Sequence, residues 1–95
     1  MKKFVFMYYG YWEPTQEIMD GWTKWFASIS DHIVDGGNPF GLGREVTPSG
    51  TRELTREAGA VGYSIVNADN MDAAVKLLET CPIITSVQVY EAMSM

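Results

Sequence analysis

The chain is predicted to be an α+β domain of β-α-β-β-α-β order with an antiparallel sheet, and three observations predict it. Lys3–Tyr9, Val61–Ala68 and Ser86–Ala92 are β-branched and aromatic runs of strand length bounded by turn or helix-capping residues. Ile18, Trp22, Trp25, Phe26, Ile29 and Ile33 recur at three- and four-residue steps, the signature of a helix with one apolar face. A second helical segment opens after Ala68 and closes at Cys81-Pro82.

Strand one, Lys3–Tyr9, stops at Gly10, and both of its alternating sets, Phe4-Phe6-Tyr8 and Val5-Met7-Tyr9, are apolar. Lys2 and Lys3 ahead of this run resemble the start of a secretion signal, but the run is short and aromatic and no small-residue cleavage site follows. Pro14-Thr15 forms a helix entrance, with Thr15 as cap and Glu17 in the first turn, where the helix dipole favours a negative charge. Helix one is expected from about Gln16 to Val34, with Gly21 marking a close approach to a neighbouring strand. Asp35-Gly36-Gly37-Asn38-Pro39 ends it, since glycine takes the left-handed C-terminal conformation and proline cannot continue the ladder.

Phe40–Pro48 contains a weaker strand, followed by a turn at Pro48-Ser49-Gly50-Thr51. The charged segment Arg52–Glu57 reads either as the return arm of a hairpin or as a short helical turn, so residues 44–59 are left open. In the strand Val61–Ala68, Val61, Tyr63 and Ile65 alternate with Gly62, Ser64 and Val66. Asp69 is expected to open helix two, with Met71, Ala74, Val75 and Leu78 on one face. The last strand, Ser86–Ala92, alternates Val87, Val89 and Glu91 with Gln88, Tyr90 and Ala92.

This order is the ferredoxin-like split β-α-β arrangement, which puts both helices on one face of the sheet. The first and third strands are apolar on both sides, so the face without helices also needs cover, and a second copy of the chain is the simplest one. A face bearing scattered exposed aromatics is the alternative.

With 95 residues the chain is one domain spanning 1–95, and it buries only about 60–65% of its unfolded surface. Its net charge of −5 offers no footprint for nucleic acid or an anionic membrane. No apolar stretch approaches the roughly 20 residues needed to span a bilayer. Cys81 is the only cysteine, so no intrachain disulfide can form, and a cytoplasmic location is expected.

The combination Gly21-Trp22-Thr23-Lys24-Trp25-Phe26, Asp35-Gly36-Gly37-Asn38-Pro39-Phe40-Gly41, Gly62-Tyr63-Ser64-Ile65-Val66, Ala68-Asp69, Cys81-Pro82 and Val89-Tyr90-Glu91-Ala92-Met93 resembles the YCII-related and DGPF-domain proteins over nearly the whole length. The resemblance is nearest to a subgroup of small bacterial proteins of unassigned function. It implies a dimeric α+β barrel in which two sheets pack face to face around a cavity. A His-Asp pair near the cavity is associated with the wider family; here Trp22 and Trp25 occupy the stretch of helix one where that histidine is expected, and the Asp-Gly-Pro-Phe signature is absent.

Chemistry-bearing residues are few. His32 is the only histidine, and Asp31 or Asp35 could set its tautomer for general-base work, although a histidine near a helix C-terminus is also stable simply as a solvated cation. Glu91 is the other weak catalytic candidate. Cys81 lacks a neighbouring cation or helix N-terminus to activate it and reads as a small packing residue. No metal site is expected from one His and one Cys about fifty positions apart, and Asp69-Asn70-Met71-Asp72 lacks the glycine and distant glutamate of a calcium loop. Gly36, Gly37, Gly41 and Gly43 follow a helix instead of joining a strand to a helix N-terminus, so they read as turn residues, not as a phosphate loop. No cofactor is implied.

The aromatic residues are more suggestive. Tyr8, Tyr9, Trp12, Trp22, Trp25, Tyr63 and Tyr90, with Asn38, Asn67, Gln88 and Glu91 as polar partners, suit a cavity for a small planar or apolar ligand, although the tryptophans also fit plain core packing. The selected ligand-binding candidates are Tyr8, Trp22, Asn38, Tyr63 and Tyr90. The leading expectation is thus a homodimer that binds a small molecule. The rivals are an enzyme of the dimeric barrel class moving a proton through a tyrosine, His32 or Glu91, and a protein-interaction module.

Overall fold

In a computed structural model, which describes residues 1–11 and 13–94, the chain forms two layers: a four-stranded antiparallel sheet and two helices on one of its faces. The elements are β1 (Lys2–Tyr9), α1 (Gln16–Ser28), a 3-10 turn (Ser30–His32), β2 (Ile33–Asp35), β3 (Gly43–Thr47), β4 (Gly50–Leu54), β5 (Ala60–Ala68), α2 (Met71–Lys76) and β6 (Ser86–Ala92). The main sheet has the order β2-β5-β1-β6. β1 lies at its centre, pairing Phe6 with Ser64 of β5 on one side and with Val89 of β6 on the other.

The sequence expectation fails for residues 29–35 and for the place of the next strand in the sheet. Helix one stops at Ser28, not Val34, because Ser28 Oγ turns back to donate to the Trp25 carbonyl at 2.6 Å and the chain tightens into the 3-10 turn. Ile33-Val34 are β-branched and take an open sheet edge beside β5 instead of extending the helix. They, not Phe40–Pro48, supply the second strand of the main sheet. A strand does form within Phe40–Pro48, at Gly43–Thr47, but it pairs only with β4, the return arm of a separate two-stranded hairpin. The overall order is therefore β-α-β-β-β-β-α-β, with the hairpin inserted between the second and third strands of the sheet.

That hairpin stands away from the body. Its register aligns Glu45 with Arg52, whose side chains form an exposed ion pair at 2.6 Å that holds the Glu45 carboxyl below its ordinary range. Leu42 at its base is fully exposed and Val46 is 76% exposed. Residues 55–59 close the arm as a turn, with Ala58 and Gly59 donating to the Thr55 carbonyl.

The core lies between the sheet and the helices. Phe4, Phe6 and Tyr8 of β1 and Ser64, Val66 and Ala68 of β5 point to the helices and are buried, as the period of two along a strand requires. α1 contributes Trp25, 2% exposed, and Ile29 just beyond its end is also buried; Trp22 and Phe26 pack against them half-buried. Trp25 Nε1 donates to the Leu77 carbonyl at 2.8 Å, which ties α1 to the end of α2 and satisfies an indole N–H that burial would otherwise leave unpaired.

Helix two is shorter than expected and turned differently. Asn70, not Asp69, is the cap, its side chain accepting from the Ala73 N–H at 2.8 Å. Ala74 is buried and Ala73, Leu77 and Leu78 pack on the core, whereas Met71 and Val75 are exposed. Gly21 approaches no strand: a Cβ there would meet only Pro82, at an ordinary 3.8 Å.

On the sheet face away from the helices lie Val5, Met7 and Tyr9 of β1, Tyr63 and Ile65 of β5 and Tyr90 of β6. Tyr90 is 54% exposed. Tyr9 and Tyr90 both donate to the Gln88 carboxamide oxygen, at 3.1 and 2.6 Å. No helix of the described residues is long and apolar enough to cross a membrane.

Candidate functional site

A cleft of about 500 Å³ opens on the helix side of the sheet, beside the end of β1. Its floor is Tyr8 of β1 with Gly62 and Ser64 of β5; one wall is the α1 face carrying Ile18, Trp22 and Phe26; the opposite wall is the loop Gly36–Phe40. Its volume falls within the range of small-molecule sites and its lining is mostly apolar.

The loop wall is held by local chemistry. Gly37 adopts a φ of +78°, a left-handed conformation, and a Cβ there would run into the Tyr63 carbonyl oxygen. The Asp35 carboxylate spans this turn, accepting from the Gly37 N–H at 2.8 Å and from the Tyr63 hydroxyl at 3.2 Å. Beyond it the loop adds to the edge of β5: Phe40 N–H donates to the Val61 carbonyl at 2.7 Å, and Pro39 bridges to Gly62. The Phe40 and Tyr63 rings stack 5.8 Å apart.

The floor and the helical wall form an aromatic cluster of edge-to-face contacts. Tyr8 meets Trp22 at 5.2 Å and 84°, and Trp22 meets Trp25 at 5.6 Å and 83°, the geometry that ring quadrupoles favour. Tyr8 donates to Ser64 Oγ at 2.8 Å, and Ser64 donates to the Gly36 carbonyl at 2.8 Å, so one chain of hydrogen bonds, buried at Tyr8 and Ser64, joins β1, β5 and the loop. Burial pushes the Tyr8 phenol up to about 12, outweighing the opposite effect of the Ser64 hydrogen bond and reinforced by the Cys81 thiol nearby. Near neutral pH Tyr8 is therefore a neutral, committed donor and a poor proton shuttle.

Of the ligand-binding candidates, Tyr8, Trp22 and Asn38 line this cleft; Tyr63 borders it too, but its side chain, on the face away from the helices, is engaged with Asp35 and Phe40. Tyr90 does not: it sits on the opposite face of the sheet, bonded to Gln88. Trp12 lies outside the described residues. His32 and Glu91 are also remote from the cleft. His32 is in the 3-10 turn, where its Nδ1 donates to the Asn67 carbonyl at 3.1 Å; the Asp35 carboxylate that was to orient it is engaged with Gly37 and Tyr63. Glu91 faces Lys2, 3.8 Å away, at the other end of β1. Cys81 is half-buried in the core margin, and burial pushes its thiol up to about 12, away from nucleophilic use. Among the described residues no three His, Cys, Asp or Glu side chains converge as metal ligands would.

Sequence reasoning missed Tyr11, Phe26, Phe40, Ser64 and Arg56 as lining residues. Ser64 had left a signal, as the one hydroxyl in an otherwise apolar or glycine set on β5, one step diagonally from Tyr8. Arg56 had left none, because its segment carried no periodicity.

Comparison with known proteins gives no match to a family model, to a curated protein or to a solved structure.

Proposed function

We propose that the protein is a homodimer that binds a small planar or apolar molecule in the cleft between α1 and the Gly36–Phe40 loop. The observation that carries this reading is the cleft itself: Tyr8, Trp22, Phe26 and Phe40 offer flat apolar surfaces around about 500 Å³. A binding role is favoured over catalysis because His32 and Glu91 lie elsewhere and the Tyr8 phenol is held protonated.

The dimer rests on surface area. The chain exposes 6920 Å², whereas a compact monomer of its 10.6 kDa exposes about 5,500 Å². The excess exceeds the ~800 Å² that each partner of a standard interface buries. Part of it lies on the hairpin and part on the sheet face of Val5, Met7, Ile65 and Tyr90, which is the surface proposed to meet a second copy. The order β2-β5-β1-β6, with a helix between the first two and the last two strands of the sheet, supports a ferredoxin-like reading with the hairpin as an insertion. On that basis the YCII-related resemblance and its dimeric α+β barrel are retained as part of the proposal.

A thermal-shift screen of planar and apolar metabolites, followed by fluorescence titration of the hits, tests the binding reading. Saturable binding that weakens at least tenfold in Trp22→Ala is expected; a panel with no saturable hit at millimolar concentration overturns it. Light scattering after gel filtration tests the pairing. A mass twice 10.6 kDa is expected, and a monomer at micromolar concentration counts against it.

A further inference from the structure

Among the described residues the cleft's one charged lining side chain is a cation. That side chain is Arg56, in a chain whose net charge is −5. Its guanidinium lies 4.5 Å from the centroid of the Tyr11 ring, and both residues line the cleft. Among the described residues no carboxylate pairs with Arg56: the ion pairs are Lys2 with Glu91 and Arg52 with Glu45. An arginine held over an aromatic ring is positioned without spending its N–H donors, which stay free for a carboxylate to accept from, two at a time in the best geometry. The Asn38 carboxamide, also in the lining, adds a second polar group with no side-chain hydrogen bond within the described residues. The Tyr8, Ser64 and Tyr63 hydroxyl protons, by contrast, are already donated internally.

We infer that the ligand is a small organic acid with a flat apolar body, its carboxylate held at Arg56 and its body lying against Trp22 and Phe26. This rests on the binding reading above and adds the ligand's charge to it. A neutral molecule with the same body leaves the guanidinium unused, and an amine of the same shape is repelled by it.

Three probes with one body separate these cases: 2-naphthoic acid, 2-naphthalenemethanol and 2-naphthylmethylamine, each titrated against the full-length protein by tryptophan fluorescence and calorimetry at low salt. The acid is expected to bind roughly tenfold more tightly than the alcohol, and the amine most weakly of the three. Arg56→Gln should bring the acid down to the alcohol's affinity while leaving the alcohol and the melting temperature unchanged, and Arg56→Lys should restore part of the preference. Added salt should weaken only the acid. If the alcohol binds as well as the acid, or Arg56→Gln leaves their ratio unaltered, the charge inference falls while the cleft remains a binding site. If none of the three binds saturably, the binding reading falls and takes this inference with it.

Discussion

Tyr8 and Ser64, 56 positions apart in the chain, meet at 2.8 Å with the phenol as donor, and Ser64 passes its own proton on to the Gly36 carbonyl. This direction makes the two residues unequal. Ser64→Ala strips the partner from a buried phenol and from a carbonyl together, whereas Tyr8→Phe leaves Ser64 still donating to Gly36. The expected losses are about 2–3 kcal/mol for the serine and about 1 kcal/mol for the tyrosine, with the double variant costing less than their sum. Urea unfolding measures all three, and a tyrosine variant costlier than the serine one would reverse the assigned direction.

Gly21 and Gly37 call for opposite outcomes. Gly21 lies inside α1 with helical backbone and room for a methyl group, 3.8 Å from Pro82. Gly21→Ala should stabilise the protein by about 0.5–1 kcal/mol through helix propensity and a less flexible unfolded chain. Gly37 has a φ of +78° and no room beneath the Tyr63 carbonyl, so Gly37→Ala should cost more than about 2 kcal/mol and loosen the cleft's loop wall. Denaturation curves for the pair check both signs, and a neutral Gly37→Ala would show that the loop yields easily.

Much of this was legible in the residues. β1, β5 and β6 were readable because each is a run of β-branched and aromatic side chains whose period of two survives any tertiary context. The capping chemistry of α1 was readable too, since Thr15 Oγ1 accepts from the Ile18 N–H, as a local rule anticipates. What stayed hidden was settled by competition at a distance. Ile33 continued the helical stripe well enough to pass for helix, but an empty edge beside Val66 of β5 outbid the helix for it. Asp35 looked like a partner for His32 until the Gly37 turn brought Tyr63 to its carboxylate. Arg56 could not be foreseen, as only the closure of the hairpin and turn carries it back to Tyr11.

Stability should fall on the alkaline side. Burial pushes the Cys81 thiol from 9 and the Tyr8 phenol from 10 up to about 12, so the folded chain keeps both protons where the unfolded chain has released them. Above pH 9 the unfolded state binds fewer protons, and stability declines with pH by at most about 1.4 kcal/mol per unit for each group until about 12; below pH 9 these two groups contribute no slope. Cys81→Ala should delay the onset of the decline by about one pH unit, to the point where Tyr8 begins to act. Urea unfolding between pH 7 and about 11 reads this directly, and an onset unmoved by Cys81→Ala would place the thiol in contact with solvent.

The hairpin offers the sharpest division between surfaces. β3 and β4 pair with each other and with no strand of the main sheet, and Gly43 and Leu54 at their base are directly opposed, so a short Gly-Ser link from Leu42 to Thr55 can replace residues 43–54. Since the arm buries little, its removal should change the stability of the body by no more than about 1 kcal/mol. Pairing through the sheet face predicts that the shortened chain keeps its doubled mass in light scattering. Tyr90→Glu, by contrast, places a charge on that face at its edge strand β6, where the residue is 54% exposed in the single chain, and should shift the protein to monomer without unfolding it. The reverse pair of results, a monomer on excising the arm and a dimer that tolerates Tyr90→Glu, would move the contact to Leu42 and Val46 and leave the sheet face wet.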